Sequence, residues 1–237
     1  MTWNIQGAKS TDLDRVAAAI AEQAPDVVLL QEVRRGQADE LAERLSMQHH
    51  WAEKHNPLLV IRALAEGAAI LTPHRLTDTG SRVIRNAWRC SYRRRIATWG
   101  LVERSDHTAY CVINVLLSPF DRAPERLEEA QLIAGGIAEL GDAPPTVVGG
   151  DFNDANEPAV VEAFDAIDAH TGAPTNPADT PTQRLDHVLV PTDATVLDVT
   201  VPDGGAEWAA LSDHLPVTAR FSQPWVSGDW PPPTTPA

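Results

Sequence analysis

Four short polar clusters in the sequence each stand at the end of an apolar stretch. They are Trp3-Asn4, Gln31-Glu32, Asp151-Phe152-Asn153 and Ser212-Asp213-His214. Each cluster alone has a purely structural explanation, such as a helix cap, a turn or a buried histidine. Together they supply oxygen ligands for a hard divalent cation, and a histidine and carboxylate suited to proton transfer and charge stabilisation. The set is what hydrolysis of a phosphoester bond requires.

Other chemistries find little support in the sequence. The glycine motifs of P-loops, nucleophile elbows and dinucleotide-binding folds do not occur. The histidines show no regular ligand spacing, and Cys90 and Cys111 are not closely paired, so a zinc site is disfavoured. Cys111 lies in an apolar run, which predicts a buried thiol. Two cysteines do not make a disulfide scaffold, and this fits a reducing cytoplasm.

The apolar pattern outlines the elements that must position the four clusters. Helices are predicted behind the N-cap Asp12, around Leu41 and Leu45, and from Pro124 onward. Predicted strands outnumber helices, and several follow one another directly; they cover residues 2–5, 27–30, 67–71, 96–102, 110–117, 146–149, 186–190 and 215–221. This order favours two packed β-sheets flanked by helices over a doubly wound sheet.

Length and composition predict one domain, residues 1–223, followed by a loose proline-rich tail, residues 224–237. The sequence has no run of 18 apolar residues and no charged start followed by an apolar segment. We therefore expect a cytoplasmic protein with no membrane span.

The formal net charge of −14 disfavours tight binding of nucleic acid over a broad surface, because such binding needs many cations against phosphates. The arginines are clustered, however: six of them lie between Arg82 and Arg95 in a stretch without acidic residues. This segment is either a local positive patch for an anionic substrate or an ordinary solvated loop.

In their order along the chain, the motifs resemble those of the endonuclease/exonuclease/phosphatase superfamily. The similarity runs from residue 2 to about residue 221. It rests on the segments Thr2–Ile5, Leu30–Val33, Gly67–Leu71, Arg95–Ala97, Gly149–Asn153, Arg184–Val188 and Leu211–Pro216. The resemblance implies an α/β fold of the α+β type, a four-layer αββα sandwich of two mixed β-sheets flanked by helices. It also implies a divalent-metal-dependent phosphoester hydrolase of the phosphodiesterase, nuclease or phosphatase kind.

The resemblance also implies roles for individual residues. Glu32, with Asn4 and Asp213, would hold Mg²⁺ or Mn²⁺. Asp151 and Asn153 would prepare and position the attacking water, and His214, held by Asp186, would stabilise charge on the phosphate. Arg94 and Arg95 would contact the substrate. The partner implied is a phosphoester substrate, with nucleic acid in transient contact as one option.

One position departs from the family pattern. The segment Asn114–Ser118 aligns with the family's N-T-H-L motif, but its histidine is replaced by Leu116. Leucine can neither donate to a phosphate oxygen nor carry a proton. The replacement predicts reduced activity, and it leaves open a second function: a catalytically silent member of the family that binds a phosphorylated ligand or a protein partner.

Overall fold

A computed structural model describes residues 1–9, 11–56, 64–86, 94–106, 108–119, 121–139, 144–154 and 158–222. The first of its two large sheets has the strand order β1-β2-β4-β3, with β1 parallel to β2 and the other neighbours antiparallel. Its strands are β1 (Thr2–Asn4), β2 (Val28–Arg34), β3 (Gln48–His55) and β4 (Glu66–Thr72).

The second sheet has the order β5-β6-β7-β8-β10-β9, in which only β7 and β8 are parallel neighbours. Its strands are β5 (Arg75–Arg85), β6 (Arg95–Glu103), β7 (Ala109–Leu116), β8 (Thr146–Asp151), β9 (Ile167–Asp168) and β10 (Asp186–Val190). A separate two-stranded antiparallel sheet pairs β11 (Thr195–Thr200) with β12 (Thr218–Ser222). The described helices are α1 (Leu13–Gln23), α2 (Arg35–Leu45), α3 (Ala123–Ala138), α4 (Pro158–Glu162) and α5 (Ala206–Ala209).

The two large sheets pack face to face, and helices cover their outer faces. Leu29 and Ile70 of the first sheet share one buried cluster with Val112 and Val188 of the second. A second cluster joins the other face of the first sheet to α1 and α2, and a third joins the second sheet to α3 and α4. This arrangement confirms the predicted four-layer sandwich.

A buried amide pair crosses between the sheets. Gln31 of β2 donates through Nε2 to Asn114 Oδ1 of β7 at 2.7 Å. Asn114 Nδ2 in turn donates to the carbonyls of Leu30 and Ala69, both at 2.9 Å. Since buried amides are stable only when hydrogen-bonded, the pair fixes how the sheets are aligned.

The predicted helices are present, and Asp12 caps α1 by accepting from the backbone N–H groups of Asp14 and Arg15. Strands β3, β5, β9 and β11 were not predicted. Arg82 and Arg85 lie in strand β5 and Arg95 begins β6, so this part of the arginine-rich segment is not a loop. The predicted tail lies outside the described residues. None of the described helices has the length and apolar character needed to cross a membrane.

Candidate active site

The strand arrangement brings the predicted site residues to one end of the sandwich. Asn4 and Gln31 are register partners where the parallel strands β1 and β2 lie side by side. Asp151 ends β8, and because β10 runs antiparallel to β8, Asp186 at the start of β10 lies directly opposite it. Residues far apart in sequence therefore converge at the seam between the two sheets.

His214 is held by Asp186 in a buried pair. The Nδ1 atom of His214 lies 2.8 Å from Asp186 Oδ2, which also accepts from the hydroxyl of Thr175 at 2.6 Å. His214 Nε2 lies 3.9 Å from Asp151 Oδ2. Burial alone would lower the pKa of His214, but the carboxylates of Asp186 and Asp151 outweigh it and raise the pKa to about 10. The ring is therefore a cation at neutral pH, with its Nε2 side toward Asp151.

Asp151 is the central carboxylate of the site. Its Oδ2 accepts from Asn4 Nδ2 at 3.1 Å, and its Oδ1 accepts from the backbone N–H of Asn153 at 2.9 Å. Burial raises the pKa of Asp151, whereas the positive charge of His214 opposes that rise. A carboxylate with a raised pKa, next to a cationic imidazole, is suited to accept a proton from water.

The backbone before Asp151 requires a glycine, and the backbone at Asn153, two residues after it, has a positive φ. Gly150 has φ +153°, and a Cβ there would lie 2.0 Å from the Val115 carbonyl oxygen, so only glycine fits. Asn153 adopts φ +51° and donates from Nδ2 to the carbonyl of Leu117 at 3.1 Å. The turn therefore presents Asn153 at the end of the strand with its amide held by a neighbouring loop.

Glu32 is placed by a β-bulge. The pairing of β2 with β4 shifts between Gln31 and Val33, and Glu32 at the shift adopts φ +52°. Burial raises the pKa of this partly buried carboxylate, the positive charge of Lys54 lowers it, and the negative charge of Glu66 raises it. Among the described residues, no side-chain hydrogen bond engages Glu32.

Asp213 joins the site through a residue that was not predicted. Gln6 Nε2 donates to Asp213 Oδ2 at 2.7 Å, and the backbone N–H of Gln6 donates to Asn4 Oδ1 at 3.1 Å. Thr175, which bonds Asp186, was missed in the same way. Gln6 could have been suspected from its position two residues after Asn4, whereas Thr175 lies in a loop with no sequence signal of its role.

Arg94, Arg95 and Leu116 are located around this end of the second sheet. Arg95 is buried, and its Nη1 donates to the Arg94 carbonyl at 3.1 Å, while Arg94 is partly buried. Leu116 is buried on β7 in register with Asp151 of β8. The leucine thus lies beside the central carboxylate, and substrate binding by the two arginines stays a prediction.

The donor set fits a hard divalent cation. Within the described part of the chain, ligand-type atoms of Asp151, Asp186 and His214 all lie within 4.8 Å of one another. Because a cationic His214 has no free ring nitrogen, the two carboxylates rather than the imidazole would be the ligands in this group. This is a different group from the predicted ligands Glu32, Asn4 and Asp213, although Asn4 is bonded to Asp151. The buried Oδ1 of Asp186 and Oε1 of Gln6 have no hydrogen-bond partner among the described residues. Such unsatisfied carboxylate and amide oxygens suit Mg²⁺ or Mn²⁺ better than a soft metal.

The fold is shared with several solved structures. A conserved protein of unknown function from Enterococcus faecalis is 23% identical, with a TM-score of 0.74 and coverage of 94% of this chain and 98% of the other. A mannosyl-6-phosphatase from Bacteroides thetaiotaomicron is 17% identical, with a TM-score of 0.73 and coverage of 93% and 98%. TDP2 from D. rerio, in complex with a single-strand DNA product, is 15% identical, with a TM-score of 0.73 and coverage of 94% and 97%.

Sequence comparison gives the family. The uncharacterized protein YbhP of Escherichia coli is 36% identical over 109 residues, which are 42% of this chain and 42% of YbhP. The chain thus spans about two fifths of the length of this curated relative. The family model described as endonuclease/exonuclease/phosphatase matches residues 1–214, which include every member of the site described above. On this match and the shared fold, the chain belongs to the endonuclease/exonuclease/phosphatase family.

Proposed function

We propose that this protein is a divalent-metal-dependent hydrolase of phosphoester bonds. The observation that carries the proposal is the buried arrangement of His214 between Asp186, at 2.8 Å, and Asp151, at 3.9 Å, with Asn4 donating to the same Asp151 oxygen that faces His214. It combines a protonated imidazole, a carboxylate of raised pKa and further oxygen donors in one buried cluster. These are the groups that in-line attack of water on phosphorus needs.

Glu32 is the proposed principal metal ligand, with help from Asn4 and Asp213. The Glu32 carboxylate is left without a side-chain hydrogen bond in the described part of the chain. A bound Mg²⁺ or Mn²⁺ would supply positive charge that polarises the phosphate oxygens. The bulge presents the Glu32 carboxylate from a strand within the first sheet, and a ligand carried by a rigid element favours a defined metal position.

Asp151 and Asn153 are proposed to handle the attacking water. Asp151 would accept a hydrogen bond from water and take its proton as the water oxygen attacks phosphorus and the opposite bond from phosphorus to the leaving oxygen breaks, releasing the alcohol part of the ester. The backbone bond from Asn153 and the side-chain bond from Asn4 hold the Asp151 carboxylate in one orientation. The Asn153 side chain, whose Nδ2 donates to the Leu117 carbonyl, would orient the water and the phosphate.

His214 is proposed to stabilise the negative charge that develops on the phosphate. Its Nδ1–H is used in the bond to Asp186, so Nε2–H is the donor that remains for a phosphate oxygen. Because the ring stays protonated up to high pH, it acts as a fixed positive donor rather than as the base. Asp186 and Thr175 prevent the ring from rotating.

The substrate class proposed is a phosphodiester or phosphomonoester, with nucleic acid in transient contact as one option. The structurally similar proteins include a mannosyl-6-phosphatase and TDP2 bound to a DNA product, so this fold serves both small and polymeric substrates. The net charge of −14 favours a small phosphoester or a briefly held strand over a tightly bound duplex.

A hydrolysis screen tests the proposal. The purified protein would be incubated with Mg²⁺ or Mn²⁺ and with plasmid DNA, single strands, phospholipids, a sugar phosphate and a chromogenic phosphodiester, with EDTA as the control. We expect turnover of at least one class and its loss in EDTA. Activity that survives EDTA and extensive dialysis would contradict metal dependence.

Leu116 favours a second candidate function, that of a catalytically silent binder. If the protein hydrolyses none of these substrates but binds a phosphorylated ligand in a calorimetric titration, that function replaces the enzyme. The carboxylates Glu32, Asp151 and Asp213 argue for the enzyme, since a site that had lost catalysis would be expected to lose metal-type carboxylates as well.

A further inference from the structure

Helix α3 carries two buried charged residues, Arg126 and Glu129, one turn apart on the face that meets the second sheet. Neither belongs to the site described so far. Glu129 contacts the loop that follows β7. Arg126 contacts that loop and also the loop that follows β8, which includes Asn153. A buried charge is costly unless it is paired, so these two residues need an explanation.

Glu129 binds one of the two loops directly. Its carboxylate accepts from the backbone N–H of Ser118 at 2.8 Å and from the Ser118 hydroxyl at 2.7 Å. Arg85 of β5 donates from Nε to the same carboxylate at 2.6 Å, and it also pairs with the exposed Glu128 at 2.8 Å. Arg85 is thus engaged by α3, and Glu129 is held between an arginine on one side and the loop on the other.

The loop fixed by Glu129 accepts a hydrogen bond from the Asn153 side chain. Leu117, the neighbour of Ser118, accepts from Asn153 Nδ2 at 3.1 Å through its carbonyl. Its N–H donates to the Asp151 carbonyl at 3.0 Å. A shift of Ser118 would therefore move the group that orients the Asn153 amide.

Arg126 reinforces the same contact. Its Nη1 donates to the Pro119 carbonyl at 2.9 Å, and its Nη2 lies 4.0 Å from Asp154, the residue after Asn153. One face of α3 therefore contacts the loop after β7 and the loop after β8 at once.

We propose that Glu129 is a positioning residue for the reaction: it fixes Ser118 and, through the Leu117 carbonyl, orients the side chain of Asn153. This inference rests on the proposed function of Asn153. Glu129 touches neither water nor phosphate, so its removal should lower kcat and leave substrate binding almost unchanged.

Hydrogen exchange tests the structural step without any substrate. In Glu129→Ala, the peptides that cover residues 115–119 and 151–154 should exchange roughly tenfold faster, since three hydrogen bonds to a buried carboxylate are lost. The matched control is Glu128→Ala, which removes an exposed partner of the same Arg85 from the same helix and should leave these peptides unchanged. Equal exchange in Glu129→Ala and wild type would overturn the proposal whatever the activity.

A double-mutant cycle tests the catalytic step on the chromogenic phosphodiester. Glu129→Ala should lower kcat roughly tenfold to a hundredfold with KM within about twofold. The loss should largely disappear in an Asn153→Ala background, because both changes remove the same positioning. If Glu129→Ala does not fold, Ser118→Ala removes only the hydroxyl donor and should show the same coupling on a smaller scale.

The outcomes separate the two proposals. Additive effects of Glu129→Ala and Asn153→Ala in an active enzyme would overturn the role of Glu129 and leave the hydrolase standing. A wild-type protein that turns over none of the substrates would refute the proposed function, on which the role of Glu129 depends.

Discussion

Glu32 lies at a β-bulge, where the backbone departs from regular strand geometry. In a regular strand, successive side chains alternate between the two faces of the sheet. The bulge and the φ of +52° interrupt this alternation at Glu32. A non-glycine residue in this region costs about 1 kcal/mol or more, and such strain persists where the surrounding structure fixes it. The strain supports the assignment of Glu32 to the site.

Replacing Glu32 with glutamine keeps its size and backbone but removes the charge that attracts a hard cation. We expect Mn²⁺ affinity, measured by calorimetric titration, to fall by at least about tenfold while the melting temperature changes little. Glu43→Gln, the same change at an exposed position on α2, is the control. An unchanged titration in Glu32→Gln would remove Glu32 from the ligand set.

Leu116 is the residue at which the sequence departs from its family. Because Leu116 is buried in register with Asp151, Leu116→His would place an imidazole beside the reacting groups. We expect kcat on a chromogenic phosphodiester to rise by roughly tenfold or more with little change in KM, since the new donor acts on charge that develops in the transition state. The buried polar ring should cost about 1–3 kcal/mol of stability.

Leu116→Phe, a ring without nitrogen, is the control for this change and should not raise the rate. If Leu116→His folds and binds metal yet turns over no faster, the missing histidine does not limit the enzyme.

The sequence predicted Asn4, Asp151 and His214 as neighbours, and the structure brings them together. Asn4 and Asp151 end the buried strands β1 and β8, whereas His214 lies in the segment between α5 and β12 and is held by Asp186. Gln6 could have been suspected because it follows Asn4 by two residues, but its hydrogen bond to Asp213 could not be predicted. Thr175 could not be predicted at all, since its hydrogen bond to Asp186 forms only when two segments distant from the first strand pack together. The role of the Leu117 carbonyl could not be predicted either, because every residue has a backbone carbonyl and the residue type gives no sign of its hydrogen bond.

At the scale of elements, prediction succeeded for buried strands and failed for exposed ones. Strand β4 is buried along its whole length, and its apolar run identified it. Strand β5 lies at the edge of the second sheet and β3 at the edge of the first, and both carry many polar residues. An edge strand needs less burial, so its sequence has no clear alternation.

Ionic contacts of Asp168 strengthen the pairing of strands β9 and β10, in addition to their backbone hydrogen bonds. Asp168 of β9 accepts from Arg184 at 2.6 Å and lies 3.1 Å from His187 of β10. Burial alone would raise the pKa of Asp168, but these two partners lower it to about 2. Its contribution to stability is therefore present above pH 4 and is lost as the pH falls toward 2.

We expect Asp168→Asn to be less stable than wild type by on the order of 2 kcal/mol at pH 7. The two proteins should converge in stability as the pH falls from 4 to 2. Urea unfolding at several pH values measures this, with the exposed Asp203→Asn as control. A constant difference down to pH 2 would contradict the assignment of the ion pairs.

At the scale of the whole molecule, the net charge of −14 should repel anionic substrates as they approach. The range of charge repulsion falls from about 30 Å at 0.01 M salt to about 10 Å at 0.1 M. KM for a single-stranded oligonucleotide should therefore decrease as salt rises over this range, while KM for a singly charged chromogenic phosphodiester should change much less. A KM for the oligonucleotide that rises with salt would show that a local positive surface, such as the arginine-rich segment, dominates.

The amide pair of Gln31 and Asn114 leads us to expect that activity is lost at a lower temperature than the fold. Asn4 and Glu32 belong to one sheet and Asp151 and Asp186 to the other, so the reacting groups stay aligned only while the sheets do not slide. A sliding motion of about 1 Å would break the bonds of this pair, and misplacement of that size is enough to slow catalysis about a hundredfold. Thermal inactivation should therefore begin below the temperature at which the chain unfolds.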